Sequence, residues 1–566
     1  MSRSSPTPSP LRLLALIALA AGIAGLAPYA PSGPAARPDR LKLPPIVFVS
    51  RQPVVLEPFA VPGLGPHHRE VVTGGRLMLR EPDGTVRELL PRWFRDVAHP
   101  SVAPDGRRVL FSAAWTPPQT GYPRETVAND DRRIHWMPVV LDLASGAVDT
   151  LHGRWSWSEG SALQPCWITD SLFCFALSEP RARSQYGHVP VTQIIVASAT
   201  VRGEDKGRVS SWRRQHFVRL TSDRNGAETP TWDERSGRIV YSRWWYNRWQ
   251  PSDDSIGVTF DPEHERPSDS VNLWQLVSIR PDGTDLRVEA SGLGTRHESM
   301  GYQPVVLRDG SIVATYASNL GLSPRPVTLG IQRFSPRLGH AKRLAGAIVE
   351  EGSGYGSPRG LAAPAACAPA ALPDGRILFS YAPGGRGDFG LYVMNKDGSR
   401  IEKVFDLPGS FELDAAPVVS RRVRPVAIPF PESTDGVSAS VRGSFRFHSL
   451  DVFGGGHARA GVRAAPPRTD GARIRFWRTE PRERDGVEAD SAILIREVPI
   501  RPDGSVDELL PADTPLFEQL IDAHGKVLRS ADGPAHVAGY NWGRHGTTVQ
   551  CVGCHVGHST VPVPKR

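Results

Sequence analysis

One unit recurs along most of this chain and leaves few folds open to it: a proline in a short extended run, a turn built on Asp-Gly or Ser-Gly, then arginine and an apolar strand ending near serine. Its fullest form is Pro100-Ser101-Val102-Ala103-Pro104-Asp105-Gly106-Arg107-Arg108-Val109-Leu110-Phe111-Ser112, with further copies at 230–242, 304–315 and 369–380. Looser copies start at Pro165 and Pro417, which makes six. The intervals between these prolines are 65, 65, 74, 65 and 48 residues, each long enough for one four-stranded antiparallel blade with its loops. Proline presets the backbone at the second turn position and glycine accepts positive φ, so Pro-Asp-Gly between apolar runs is a hairpin signal. Pro82-Asp83-Gly84, Pro281-Asp282-Gly283 and Lys396-Asp397-Gly398 fit the outer hairpins of the same blades. The pattern predicts a six-bladed β-propeller over residues 46–424.

Past Arg424 the repeat stops. Val441-Arg442-Gly443-Ser444-Phe445-Arg446-Phe447 alternates with period two, as do Ile493-Leu494-Ile495 and Val498-Pro499-Ile500, and Pro502-Asp503-Gly504 predicts another hairpin. Residues 425–566 therefore read as a second, β-rich, sandwich-like domain. The chain as a whole reads as all-β: of 566 residues 55 are Gly, 53 are Pro and 22 % are charged, a turn-rich composition. The formal charge of +8 is carried mainly by scattered arginines. The run Arg421-Arg422-Val423-Arg424 is too short for a nucleic-acid patch and reads as a solvated linker face. No nucleic-acid partner is expected.

The N-terminus carries Arg3, an apolar core from Leu11 to Leu26, then Ala27-Pro28-Tyr29-Ala30 and a Pro-rich tail. Residues 1–30 read as an export signal and 31–45 as a linker. Pro31 disfavours cleavage, so an uncleaved anchor stays open as the chain's one membrane contact. Both readings place the bulk outside the cytoplasm, in the periplasm.

Near the other end stands Cys551-Val552-Gly553-Cys554-His555, in a chain with only 5 Cys and 17 His. Two thiols at this spacing can form thioethers with the vinyl groups of haem while the adjacent imidazole reaches the iron, the attachment signature of c-type haem. Cys551 and Cys554 are the candidate attachment residues and His555 the candidate axial ligand. Two other readings stay open: a redox disulfide, and zinc held by Cys551, Cys554, His555 and His558. Zinc sites usually separate their ligand pairs by a dozen or more residues, and these four fall within eight. Eleven residues follow His555, too few to enclose a porphyrin, so a haem here must pack on what precedes it. The methionines are Met1, Met78, Met137, Met300 and Met394, none in the second domain. A sixth iron ligand would then be a histidine, His558 or His545 before His536 or His524, or the position is open.

Other features read as structural. Trp244-Trp245-Tyr246-Asn247-Arg248-Trp249 reads as a cluster between blades, the glycine-rich stretches 352–360 and 384–390 as turns, and Asp253-Asp254 as solvated charge. Cys166 and Cys174 could bridge a short hairpin or stay as two buried thiols, leaving Cys367 unpaired.

The stretches Val498-Pro499-Ile500-Arg501-Pro502-Asp503-Gly504-Ser505, Pro511 to Asp522 with Gly525, and Cys551 to His555 resemble the middle domain of the hydrazine synthase alpha subunit family. The upstream repeat resembles the TolB-like propeller that relatives in this family carry in front. The resemblance implies an exported haem c protein, with Cys551, Cys554 and His555 at the haem positions and a redox partner protein. It does not carry the reaction. In hydrazine synthase the motif histidine turns toward zinc and a tyrosine four residues later binds iron, whereas this chain has Ser559 there, preceded by His558. Two function classes follow: a periplasmic haem c redox or electron-transfer protein, or a propeller interaction module whose Cys-x-x-Cys-His run is vestigial or binds another metal.

Overall fold

The computed structural model describes residues 41–54, 60–90, 94–115, 134–150, 160–185, 187–198, 216–246, 249–250, 259–260, 272–290, 301–317, 328–334, 341–346, 362–385, 388–426, 443–454, 465–484, 487–529 and 540–551. The N-terminal 1–40 and the motif beyond Cys551 lie outside the described residues. Among the described residues no helix is long and apolar enough to cross a membrane.

Six four-stranded antiparallel sheets follow one another around an axis. The second blade shows the plan: Asp96–Val102 innermost, then Arg108–Trp115, His135–Asp142 and Val148–Thr150. The first blade closes the ring. Its innermost strand, Phe411–Pro417, comes from the far end of the repeat and pairs antiparallel with Ile46–Arg51, so the propeller has no open seam. Apolar side chains fill the wedge between neighbouring blades, as where Val47, Val49 and Leu77 meet Val109, Phe111 and Val139. Trp244 and Trp245 are buried. Trp244 stacks on Trp274 with ring centroids 5.3 Å apart, the inter-blade cluster expected of that run. The Pro-Asp-Gly turns also fall where expected: Gly106 N–H donates to the Ala103 carbonyl at 2.9 Å, with Gly106 at φ +71°.

Each innermost strand is broken at one place by a bulge whose residue has positive φ: His99, Gln164, Thr229, Gln303, Ala368 and Asp414, all between +50° and +55°. Five of these immediately precede a proline of the repeat. A left-handed backbone costs an ordinary L-residue about 1–2 kcal/mol, and a chain of hydrogen bonds around the axis offsets it. Thr229 N–H donates to Gln164 Oε1 at 2.7 Å, Gln303 N–H to Thr229 Oγ1 at 3.2 Å, Ala368 N–H to Gln303 Oε1 at 3.0 Å, and His99 N–H to Asp414 Oδ2 at 3.3 Å.

The C-terminal part stacks two sheets. One holds Val506–Pro511, Ser444–Ser449 and Thr548–Cys551 in that order, the other Val487–Pro499, Arg473–Arg484, Leu516–Ile521 and Tyr540–Asn541. Phe445, Phe447, Ile474, Phe476, Leu516 and Leu520 fill the space between them. The hairpin expected at Pro502-Asp503-Gly504 is corrected here. The turn forms, with Gly504 N–H on the Arg501 carbonyl at 2.8 Å, but it carries the chain from one sheet to the other, because the flanking strands pair with Arg473–Arg484 and Ser444–Ser449 instead of each other.

Candidate functional site

Cys551 ends the strand Thr548–Cys551, which runs parallel to Ser444–Ser449 with Cys551 opposite Ser449. Side chains alternate along a strand, so Phe445, Phe447 and Ser449 face the sandwich interior together, and Val549 and Cys551 pack against the same core. The Cys551 sulfur lies 3.9 Å from the His448 carbonyl. The residue keeps some exposure, yet burial of the thiol dominates: it pushes the group up to about 12, aided by the charge of Glu518 and opposed by a hydrogen bond with Ser449.

Glu518 comes from the opposite sheet. On Leu516–Ile521 it shares its parity with Leu516 and Leu520, both core residues, so its carboxyl enters the apolar interior. Burial raises it from 4.5 to about 8. Its opposing influence is Asn541, whose Nδ2 lies 3.0 Å and 2.9 Å from the two carboxyl oxygens. Both amide atoms of Gln519, on the alternate face, are buried without a hydrogen-bond partner.

This setting fits thioether attachment. A thioether is neutral, and Cys551 packs on an apolar cluster that includes Phe447, Val452, Leu528 and Val549. A zinc thiolate would instead place negative charge in that cluster, facing an inward carboxyl. Among the described residues no group of three or more His, Cys, Asp or Glu side chains is arranged to hold a metal ion.

Of the sequence candidates, Cys554, His555, His558 and His536 lie outside the described residues. His545 sits in the turn before Thr548–Cys551, against Gly443, where an added Cβ would collide with its imidazole. That contact is six residues of extended chain from Ser449, roughly 20 Å along the strand. His524 is exposed in the turn after Leu516–Ile521, its N–H on Asp522 Oδ1 at 2.8 Å. Glu518 and Asn541 were missed by sequence reasoning. The signal was present in Leu516-Phe517-Glu518-Gln519-Leu520, where period-two alternation puts one carboxyl between two inward leucines.

The propeller meets this domain through Trp542, one residue past Asn541. The indole packs with Ile168, Tyr241 and Val277 of the third and fourth blades, and its N–H donates to Asp223 Oδ1 at 2.8 Å. Burial raises the Asp223 carboxyl, against the pull of Arg243, Trp542 and Tyr241. Arg224 Nε adds a bond to Thr479 Oγ1 at 2.8 Å.

At one mouth of the propeller axis a cavity of about 1120 Å³ is floored by the bulge residues. Residues 419–424 line its rim, and Arg422, Val423 and Arg424 are exposed, the solvated face expected of that run, while Arg421 alone turns partly inward. Arg421 pairs with Glu234 at 2.5 Å and donates to the Trp167 carbonyl at 2.8 Å. Cys166 and Cys174 oppose each other in register and both are free thiols, as is buried Cys367. Residues 60–70 enter the blade ring separately: Val61 and Leu64 pack on the axial cluster, and Arg69 pairs with Glu228.

Residues 478–556 match the family model of the hydrazine synthase alpha subunit middle domain. Over that stretch the chain is hydrazine synthase alpha-like. The match takes in Glu518, Asn541, Trp542 and the whole Cys-x-x-Cys-His run. The structure of Kuenenia stuttgartiensis hydrazine synthase is similar over 91 % of this chain and 69 % of that one, at 15 % identity and a TM-score of 0.63. This likeness is one of fold, and it extends beyond the hydrazine synthase alpha-like segment into the propeller. A putative TolB from Agrobacterium tumefaciens covers 65 % of this chain and 90 % of its own at 11 % identity, with a TM-score of 0.33. No curated protein matches.

Proposed function

We propose that this is an exported c-type haem redox protein, in which haem is joined to Cys551 and Cys554 and covers the open edge of the sandwich. The observation that carries the reading is the placement of Cys551, the first residue of the attachment motif, at the end of an edge strand and packed against the apolar core of the sandwich. The haem would supply one-electron chemistry. The chain's part is to fix one thioether on a paired strand, to exclude water with Phe447, Val452 and Val549, and to offer His555 as axial ligand. The sixth position falls to His558 or stays open, since His545 lies at the other end of the strand. Electrons would pass to a partner redox protein in the compartment that residues 1–30 address. Hydrazine formation is not proposed, because Ser559 stands where that chemistry's iron-binding tyrosine would be.

Expression with the haem c attachment machinery should give a pyridine haemochrome spectrum of c type and haem that survives denaturing electrophoresis. The double substitution Cys551→Ala, Cys554→Ala should abolish that retention. Retention unchanged in the double variant would overturn the proposal.

A further inference from the structure

Glu518 is a carboxyl aimed into the interior of the domain that carries the attachment motif, and the function so far described makes no use of it. Its surroundings are short of charge. From Ser444–Ser449 the inward groups are Phe445, Phe447 and Ser449, while Arg446 and His448 point out toward Asp507. Thr548–Cys551 presents Val549 and Cys551. Arg473–Arg484 presents Ile474 and Phe476, while Arg475 is held on the other face by Glu497 at 2.7 Å. Val506–Pro511 presents Val506 and Leu510, and its Glu508 is taken by Arg496 at 3.0 Å. Among the described residues Asn541 supplies the one side-chain hydrogen-bond donor to Glu518. On the Glu518 face itself, Arg478 lies two residues beyond Phe476 and is held by Glu480, so among the described residues no cation is paired with Glu518.

We propose that Glu518 is a redox-linked proton acceptor: its carboxylate binds a solvent proton when an electron is delivered to the haem attached at Cys551, and releases that proton when the electron leaves. This rests on the haem reading above. One electron enters from a one-electron donor protein and one proton enters from solvent, so the interior gains no net charge. The driving force is electrostatic. At an effective dielectric of about 20, a negative charge within roughly 10 Å would raise a carboxyl's proton affinity roughly tenfold. The site then moves a hydrogen equivalent, which makes its potential follow pH in the range where an isolated surface haem would be flat. Ser449, buried opposite Cys551 with its hydroxyl near that thiol, is a ready relay for that proton.

The test uses the haem-loaded full chain. Pyridine haemochrome analysis comes first and separates the two ideas: absent haem overturns both, whereas a loaded protein tests Glu518 alone. Midpoint potentials are then measured by spectroelectrochemical titration with dithionite and mediators from about pH 6 to about pH 9. The wild type is expected to fall by up to about 59 mV per pH unit, the one-electron equivalent of a tenfold change in proton activity. Glu518→Gln, close in shape but unable to titrate, should flatten that slope to less than half. Asn541→Ala keeps the carboxyl and removes its donor, so the sloping range should move to higher pH; this arm decides the matter if Glu518→Gln fails to fold. A wild-type potential independent of pH, or a slope unchanged by Glu518→Gln and unmoved by Asn541→Ala, would overturn the proposal.

Discussion

On the innermost strand of the fourth blade, Glu228 is fully buried and three side chains reach it: Arg69 in an ion pair, the Tyr302 hydroxyl, and Thr192 at 3.4 Å. Glu518, equally buried in the sandwich, has one amide. The propeller carries an arginine inward on residues 60–70 to neutralise its carboxylate, and ties the same group to the neighbouring blade through Tyr302. Among the described residues the sandwich pairs no cation with Glu518. A buried charge is tolerated when paired and hydrogen-bonded, and otherwise the group shifts toward its neutral form. The first arrangement makes Glu228 a structural joint. The second leaves Glu518 able to change protonation inside a folded domain.

The largest effect should come from breaking the joint. Glu228→Ala strands the Arg69 guanidinium and the Tyr302 hydroxyl in the propeller interior, and removing one partner of a buried pair costs about 3–5 kcal/mol. Urea unfolding followed by tryptophan fluorescence would measure it. A loss below about 1 kcal/mol would mean that water or the Pro190 carbonyl satisfies Arg69, and the contrast between the two carboxyls would fall.

Glu518→Gln should act with the opposite sign, and only at higher pH. Its folded-state value lies near 8 against 4.5 for the free group. A raised carboxyl contributes its stability fully below 4.5 and loses it as pH climbs toward 8, because the unfolded chain has then released a proton that the folded one still holds. The glutamine variant should therefore gain on the wild type between about pH 5 and about pH 8, by on the order of 4 kcal/mol. Paired urea curves at the two pH values would show it. A difference that stays constant with pH would refute the protonation argument and return Glu518 to an ordinary buried polar group.

The sandwich's contact with the propeller is a milder case of a shared carboxyl. Asp223 keeps the Tyr241 hydroxyl at 3.2 Å when Trp542→Phe removes the indole N–H, and the ring still fills most of its apolar site. The expected cost is about 1–3 kcal/mol. If the two domains unfold in separate steps, the loss should appear in the step that parts them, which differential scanning calorimetry would resolve. No change in either step would mean that the interface rests on packing alone.

How far these differences can be read in advance depends on whether they are periodic. The prolines of the repeat mark all six innermost strands, because each needs the same turn and bulge, and a pattern seen six times is hard to mistake. The left-handed residues before five of those prolines were not legible, since proline normally pushes its predecessor toward extended backbone and only the axial hydrogen bonds justify the exception. Residues 60–70 gave no sign of entering the ring, having no strand or helix period of their own. Glu518 was hidden for another reason: Leu516–Ile521 is buried on both faces, so the apolar pairs Leu516-Phe517 and Leu520-Ile521 mask the alternation and the inward position was not singled out. Cys551 stood out through rare residue types at a chemically meaningful spacing, a signal independent of fold.

The axial ring allows the smallest and most specific test. Four of its junctions pass a hydrogen bond from a bulge N–H to the side chain of the preceding bulge, Asp414 serving His99 as one of the four. At Ala368 the side chain stops at Cβ, so no acceptor can reach the Asp414 junction. Ala368→Asn would add one with the reach that Asp414 already uses toward His99. Asparagine tolerates the left-handed backbone better than alanine, and position 368 lines the open cavity at the propeller mouth, where the added amide has room. The variant should be more stable by about 1 kcal/mol, the net value of one hydrogen bond plus the relief of strain, read as a higher urea midpoint with an unchanged slope. Ala368→Gly separates the two contributions: it relieves the strain without supplying an acceptor, at the cost of a more flexible unfolded chain. If glycine matches asparagine, the hydrogen bonds of the ring follow from the bulges; if asparagine alone stabilises, the ring itself holds the blades in place.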